Sequence, residues 1–371
     1  MLQAGKNITA KDIFTEQSEQ HNYPCFGGNG IRGYVTNSNR NGEFPIIGRQ
    51  GALCGNINLA IGEFYATEHA VVVERFSDTD LMWAYYTLIE LNLNQYATAT
   101  AQPGIAVNVI NDVPIPVPPL KEQCRISKVV KLLFSLVDNI EQRKIDIQAT
   151  IKQGKSKILD LAIHGKLVPQ DPTDEPASEL IKRINPNAEI TCDTPQYGKL
   201  PNGWCETLLG NIGTWQSGAT PSRLRKEYYG GSIPWLKTGD LNDGIVQSIP
   251  ECITERALEE TSVKLNPAGS ILIAMYGATI GRIGILSKPA TTNQACCACV
   301  DYLPEKKFLF YFLLANRENF IAMGGGGAQP NISKEKIIHT HIPLPPRQEQ
   351  HRIVAKIEEL FAQLDDIASS L

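Results

Sequence analysis

A segment of twelve residues occurs twice in this chain, and no other feature restricts the possible architecture so sharply. Ile115-Pro116-Val117-Pro118-Pro119-Leu120-Lys121-Glu122-Gln123-Cys124-Arg125-Ile126 returns as Ile342-Pro343-Leu344-Pro345-Pro346-Arg347-Gln348-Glu349-Gln350-His351-Arg352-Ile353. The offset is 227, from Pro118 to Pro345, and it holds without a gap on both sides. Upstream, Gln102-Pro103 matches Gln329-Pro330 and Ile105 matches Ile332. Downstream, Leu133-Phe134 matches Leu360-Phe361, Asp138 matches Asp365 and Ile140 matches Ile367. Further back the match loosens, with Gly51-Ala52 and Gly55 answering to Gly277-Ala278 and Gly281. Solenoid units run about 20–50 residues, so this much longer period reads as one domain plus a connector, used twice. A chain of 371 residues has room for two such domains. The copies differ most in their early parts, which is where differing binding preferences are expected.

Each Pro-Pro closes an extended stretch, because proline disfavours the α region for the residue before it. Glu122-Gln123 and Glu349-Gln350 then open helices, with the acid near the positive helix end. In the first copy Ile126, Leu133, Ile140, Ile147 and Leu161 recur at heptad spacings, joined by Val129, Val130, Leu136, Val137, Ile151 and Ile158. From Glu122 to His164 such a helix extends about 60 Å at 1.5 Å per residue. The stripe weakens at Arg143, Thr150 and Gly154, which admits a bend near Gly154. The second copy offers Ile353, Ile357, Leu360, Phe361, Leu364, Ile367 and Leu371 over roughly half that length. Either stripe alone is also compatible with an ordinary core helix. Together, closing two matching domains, they predict an antiparallel helix pair. Between the copies, Pro169-Gln170-Asp171-Pro172-Thr173-Asp174-Glu175-Pro176 reads as a linker, followed by a short helix from Ala177 to Ile184.

Composition restricts the function classes. The formal net charge of −4 withholds the basic excess expected of a nucleic-acid binder. Such binding therefore needs its cations gathered on one face, or a partner that supplies more. No apolar run suggests a membrane span, and Met1 to Lys6 lack the apolar core of a signal peptide. Nine cysteines without a signal indicate reduced thiols and a cytoplasmic location. Cys296-Cys297-Ala298-Cys299 lies in an apolar run and lacks the spaced second pair of a zinc site, so it reads as buried strand.

Several suggestive motifs fail on context. Gly154-Lys155-Ser156 lacks the earlier glycine of a phosphate-binding loop and falls inside a helix. Gly324-Gly325-Gly326-Gly327 follows a helix-like segment, Phe308 to Phe320, whereas a dinucleotide loop follows a strand. It reads as a surface loop, one able to touch a phosphate backbone. His339-Thr340-His341 would put two imidazoles on one face of a strand, with no third ligand for a metal. There is no Gly-x-Ser-x-Gly elbow, no His-Glu-x-x-His and no Asn/Asp-Pro-Pro-Tyr/Phe. The sequence thus predicts a chain without catalysis of its own.

What remains are basic and amide side chains in loops. The first copy offers Arg32, Asn37, Asn39, Arg40, Asn41, Arg49 and Gln50. In the second, Arg223, Arg225 and Lys226 cluster with Tyr228 and Tyr229, followed by Lys237, Thr238 and then Arg282. Arginine can pair in two places with a guanine edge and Asn or Gln with adenine, while lysine and hydroxyls hold phosphates. The alternative for any one of them is a solvated loop position.

From Leu200 the motifs become specific. Leu200-Pro201-Asn202-Gly203-Trp204 is followed by Leu209-Gly210-Asn211-Ile212, Ser217-Gly218-Ala219-Thr220-Pro221-Ser222 and Ile233-Pro234-Trp235-Leu236-Lys237-Thr238-Gly239-Asp240-Leu241. Gly277-Ala278-Thr279-Ile280-Gly281 and the Pro345-Pro346…Glu349-Gln350 close complete the series, with a central spacer from Gly165 to Ala177. In this order, over nearly the whole chain, they resemble the specificity subunits of type I restriction–modification systems. The resemblance implies an α/β fold, with mixed α+β recognition domains in two copies bridged by long antiparallel coiled-coil-like helices. It implies that each domain reads one half of a split, asymmetric double-stranded DNA site while the helices set spacing and orientation. It further implies two adenine-methylating modification subunits docked on the helices, at positions such as Ile126, Leu133, Ile140, Ile147, Ile353, Leu360 and Leu364. Restriction subunits would bring translocation and cleavage. S-adenosylmethionine, ATP and Mg then belong to the partners, and this chain carries no cofactor.

The expected organisation is a first recognition domain over 1–119, a spacer helix over 120–168 and a linker over 169–200. A second recognition domain follows over 201–346, then a distal helix over 347–371. The first copy has no counterpart of Leu200 to Ile212, and the distal helix lacks the second half that the central helix has. Two other readings stay open: a specificity subunit serving a methyltransferase without a nuclease, and a truncated or recombined form acting as a protein-binding scaffold.

Overall fold

The computed structural model describes residues 2–76, 78–98, 103–191, 193–194, 197–302, 304–325 and 331–371. Gln102, Gln329 and Pro330 of the repeat, and Gly326-Gly327 of the glycine run, lie outside them. The chain divides into two units, 1–143 and 144–371. The first holds β1 (Leu2–Ala4), β2 (Tyr23–Gly27), β3 (Gly30–Val35), β4 (Arg40–Gly48), β5 (Ile57–Ala66), β6 (Ala70–Val73), α1 (Leu81–Glu90) and α2 (Val107–Asn111). Its sheet runs β1-β6-β4-β5-β2-β3. Successive strand residues face opposite sides. Accordingly Ile46 packs with Phe26, Phe64 and Val72, while Ile47 packs with Cys54, Val71, Leu93 and Ile110.

Helix α3 (Leu120–Ile163) runs 44 residues, and the division between the units falls within it. The sequence sets this helix apart as a connector, but each half is built into a unit. Gln123 and Ser127 bond to the head of α1, whereas Leu159, Ala162 and Ile163 join the core of the second unit.

The second unit continues with α4 (Ala177–Ile184), the β7 (Asp193–Thr194) and β8 (Gly198–Lys199) pair, β9 (Cys205–Leu208), β10 (Gly213–Ser217), β11 (Tyr229–Leu236), β12 (Gly244–Val246) and β13 (Cys252–Ile253). After α5 (Glu255–Glu260) come β14 (Ile271–Ala274), β15 (Ile283–Leu286), β16 (Thr291–Thr292) and β17 (Cys296–Tyr302). Then follow α6 (Lys306–Ala315), α7 (Arg317–Met323), α8 (Lys334–Ile338), β18 (His341–Leu344) and α9 (Arg347–Ser369). Its main sheet runs β10-β17-β14-β15-β12, beside β13-β11-β16 and the antiparallel pair β18-β9. Cys296, Cys297 and Cys299 are buried on β17, and burial pushes all three thiols up, Cys297 and Cys299 to about 12. His339 ends α8 instead of sharing a strand with His341, which opens β18. Their rings go to different partners, the Glu335 carbonyl and the buried Glu206.

The duplication extends beyond the matching letters. In the first unit Gly48 N–H bonds to the Asn56 carbonyl, Cys54 to Gly51, Gly55 to Gly48, Arg49 to His69 and Ile105 to Arg49. In the second, Ala274 bonds to Arg282, Ile280 to Gly277, Gly281 to Ala274, Met275 to Ala295 and Ile332 to Met275. The first four bonds transfer at an offset of 226, and 227 is reached by Ile105 and Ile332. Even segments with little sequence likeness correspond: Gly5 N–H bonds to Ala70 as Gly218 N–H bonds to Cys296. A Cβ on Gly5 would collide with the carbonyls of Ala66 and Thr67, and one on Gly218 with those of Thr292 and Asn293.

The repeated Glu-Gln fixes each helix to its sheet layer. Gln123 Nε2 donates to the Pro118 carbonyl at 2.8 Å, and its Oε1 accepts the Asp80 N–H at 2.9 Å, just ahead of α1. Gln350 repeats this with the Pro345 carbonyl at 2.8 Å and the Glu305 N–H at 2.9 Å, ahead of α6. Both glutamines are buried. Two aromatic pairs follow suit, Tyr86 with Phe134 and Tyr311 with Phe361. Glu349 is also buried, accepting from Trp204 Nε1 at 3.0 Å and Gln170 Nε2 at 3.2 Å. Desolvation raises its pKa above the ordinary carboxylate range, against those bonds.

Within the second unit, α9 lies antiparallel to residues 144–163 of α3. Lys144 Nζ donates to the Leu371 carbonyl at 2.7 Å, Lys155 pairs with Asp365 at 2.5 Å, and Leu364 lies over Gly154. The Gly-Lys-Ser triplet is therefore a helix contact.

Replacing Gln123 or Gln350 with Ala strands buried backbone groups, so each variant should lose about 1–3 kcal/mol in urea unfolding. Glu349 binds its proton more tightly folded than unfolded, so its ionisation lowers stability as pH rises from the ordinary carboxylate range through the raised pKa. The stability of wild type relative to Glu349→Gln should accordingly fall across that window and level off above it, as read by unfolding at a series of pH values.

Candidate nucleic-acid interface

The repeated hydrogen bonds converge on two short turns, Gly51–Gly55 and Gly277–Gly281. Their first and last residues are left-handed, with φ of +94° and +87° in one and +62° and +75° in the other. Only glycine takes such angles without steric cost. Each turn holds residues at the surface: Gln50, Asn56 and, within the turn, Leu53 in the first unit, Tyr276 and Arg282 in the second.

In the first unit the turn borders a pocket of about 450 Å³ whose lining includes Gly28, Asn29, Arg32, Gln50, Gly51 and His69. Arg32 on β3 lies with its stem against Gly27, which has no side chain to obstruct it. Asn56 Nδ2 donates to Asn29 Oδ1 at 2.9 Å across the rim. Two buried ring or guanidinium nitrogens next to this surface, Arg49 Nε and His69 Nδ1, have no hydrogen-bond partner among the described residues. Buried polar atoms ordinarily have partners, so this is a polar, concave and incompletely satisfied surface. Arg40 is used otherwise. Its Nη2 donates to Gln3 Oε1 at 2.7 Å, which ties β4 to the neighbourhood of β1.

The second unit builds the corresponding surface from other residues. Asn293 N–H bonds to Leu236 as Thr67 N–H bonds to Phe26, so Lys237 and Thr238 stand where the first unit has Gly27 and Gly28. Arg282 stands in the place of Asn56, and Tyr276 in that of Gln50. Lys237 and Thr238, and Arg282 more than forty positions further on, thus belong to one repeated surface. Tyr276 escaped the sequence reading, although its place before Gly277, like that of Gln50 before Gly51, was a usable signal.

The Arg223-Arg225-Lys226 loop is less open than its letters suggest. Both terminal nitrogens of Arg223 bond to the Glu251 carboxylate, and the guanidinium stacks on Tyr229 at 4.3 Å and Trp235 at 5.0 Å. Lys237 Nζ joins the same Glu251 at 3.0 Å. The Arg223 bond holds the Glu251 carboxyl below its usual range, and Lys237 adds to this. Arg225 bonds to the Tyr228 hydroxyl and to Glu260 at 3.2 Å. These acids lie 28 and 35 residues from their arginines, beyond any local motif. By contrast, Lys226 and Arg282 are exposed and have no side-chain partner among the described residues.

The helix positions also separate. Ile126, Leu133, Ile140 and Ile147 are 37–67% exposed on α3. Ile353 is fully buried in the core of the second unit, and Leu360 and Leu364 are half-buried, Leu364 against Gly154. Ile353 thus serves the core of its own unit, while Leu360 and Leu364 keep part of their surface accessible. Among the described residues no cluster of His, Cys, Asp and Glu is arranged to hold a metal, and no helix is long and apolar enough to cross a membrane.

The model of the type I restriction modification DNA specificity domain matches residues 3–149 and again 201–369. The EcoprrI specificity subunit of Escherichia coli is 45% identical over 141 residues, 38% of this chain and 35% of that protein. The EcoR124I/EcoR124II specificity subunit of the same organism is 30% identical over 254 residues, 63% of this chain and 59% of that protein. This chain therefore spans between about a third and three-fifths of the length of these relatives. The HsdS subunit from Thermoanaerobacter tengcongensis superposes with a TM-score of 0.58 at 17% identity, over 94% of this chain and 85% of that one. A chain from a study of complex assembly and conformational transition in the type I restriction–modification system gives 0.62 at 20% identity, over 89% and 77%. At these identities the structures speak for the fold: mixed α and β units, repeated, with long helices. Two family matches, one on each copy of the repeat, place this chain in the type I restriction–modification DNA specificity family.

Proposed function

We propose that this chain selects the DNA sequence on which a type I restriction–modification assembly acts, each unit reading one half of a bipartite double-stranded site. One observation carries the reading. The two units repeat the same backbone hydrogen bonds around an exposed glycine turn and present different side chains there. Gln50, Asn56 and the Arg32 pocket in the first unit occupy positions equivalent to those of Tyr276, Arg282 and Thr238 in the second. A shared frame with unlike contact residues suits two related but unlike half-sites. Amide and guanidinium groups supply base-edge readout, and Lys226 supplies a phosphate contact. The net charge of −4 is compatible with this, since phosphate contacts need only a local patch. The exposed α3 stripe at Ile126, Leu133, Ile140 and Ile147 would dock the modification subunit, which brings S-adenosylmethionine, while ATP and Mg enter with a restriction subunit. The chain itself would carry no catalysis.

Methylation sequencing of cells that carry this chain with its modification subunit tests the reading. A bipartite adenine-methylated motif is expected, and exchange of residues 205–340 should alter one half only. If the exchange leaves the motif untouched, the second unit is not a reader. Gln50→Ala and Arg282→Ala should each relax one position and weaken specific binding by about 1–3 kcal/mol, roughly 5- to 150-fold. Lys226→Ala should weaken all sequences alike and lower the salt dependence by about one counterion. Ile140→Asp should reduce recovery of the modification subunit with this chain while leaving each unit folded.

A further inference from the structure

The turn at 222–225 carries the most exposed large apolar side chain among the described residues, Leu224, at 94%. A lone surface leucine ordinarily needs no explanation. The loop that carries this one, however, is fastened at several points. Gly218 N–H donates to the Cys296 carbonyl and Ala219 N–H to the Thr292 carbonyl, each at 3.0 Å. Trp235 Nε1 donates to the Ala219 carbonyl at 3.0 Å, and the Tyr229 hydroxyl donates to the Pro221 carbonyl at 2.6 Å. Arg225 N–H closes the turn on the Ser222 carbonyl at 3.1 Å, which leaves Arg223 and Leu224 at its centre.

Both arginines beside the leucine are drawn back onto the unit, Arg223 onto Glu251, Tyr229 and Trp235, and Arg225 onto Tyr228 and Glu260. Leu224 is left at the apex. The loop also borders the repeated surface, because the Glu251 carboxylate that holds Arg223 holds Lys237 Nζ as well, at 3.0 Å. A fixed apex meets a partner without first losing conformational freedom. On a DNA duplex, a side chain with no donor or acceptor has one base-edge group to select, the C5-methyl of thymine in the major groove. The other use of an exposed apolar side chain is insertion between base pairs. Insertion would press phosphates against the base of this loop, where Glu227, Glu251 and Glu260 are gathered.

We propose that Leu224 reads a thymine in the half-site of the second unit, through van der Waals contact with the C5-methyl group. The proposal rests on the DNA reading above and adds a base identity to it. Arg223 and Arg225 are then positioning residues, which hold the apex in place, and the exposed Lys226 meets a phosphate beside it.

The test uses the complex of the full chain with its modification subunit, on duplexes that carry its methylated motif. Deoxyuridine, which lacks only the methyl group, replaces each thymine of the second unit's half in turn, on either strand. One replacement should weaken wild-type binding about three- to tenfold, as expected for the loss of one buried methyl group. Leu224→Ala should weaken binding to the thymine duplex by a similar factor and should bind the thymine and deoxyuridine duplexes equally. A half-site that requires no thymine overturns the proposal. So does equal binding of all duplexes by wild type, or discrimination that persists in Leu224→Ala. Fluorescence of 2-aminopurine beside the thymine that rises with wild type and not with Leu224→Ala also overturns it, by assigning the side chain to insertion. In each of these cases, a motif that changes in one half on exchange of residues 205–340 leaves the DNA reading standing. If the exchange leaves the motif untouched, both fall.

Discussion

A single primary amide, supplied once by Gln123 and once by Gln350, determines how helix and sheet meet in each unit. Its oxygen takes a backbone N–H at the head of α1 or α6, and its nitrogen takes a carbonyl of the preceding Pro-Pro turn. No other side chain of similar length offers a donor and an acceptor at one end while carrying no charge into a buried place. Aspartate or glutamate would present only acceptors, and leucine would leave both backbone groups unpaired. The direction in which the long helix leaves the unit therefore rests on one residue type. This is why the two copies agree so closely here while their loops have drifted.

That same agreement made the architecture legible. The repeat, both helices, the short helix from Ala177 and the buried cysteines could be read from the letters, because periodicity and proline act locally. Tertiary partners could not. The connector helix belongs half to each unit because of Ser127 and Leu159, whose contacts lie far off in sequence. His339 closes a helix because Ser333 caps one, while alternation alone suggested a strand. The correspondence of Gly5 with Gly218 is carried by backbone crowding and left little trace beyond a glycine.

The candidate surface was legible to a lesser degree. Arg32, Gln50, Thr238 and Arg282 fall around equivalent turns, but Arg223 and Arg225 turned out to be tied to Glu251 and Glu260. A cluster of cations in sequence says nothing of acids brought in from other strands. Those pairs, with Tyr229 and Trp235, tie the loop to neighbouring strands and set a carboxylate against each of two exposed guanidinium groups. The low net charge thus has a local expression: several of the loop cations sit beside acids brought in from elsewhere in the unit.

The glycine turns have one more implication. Their conformation is secured by main-chain bonds and left-handed glycines, so the residue before each turn, Gln50 or Tyr276, contributes almost nothing to holding it. Such a position can change identity without a folding penalty. Because each turn is secured by bonds within its own unit, a change in one leaves the frame of the other intact. The two surfaces can therefore diverge one at a time, each on an unchanged frame.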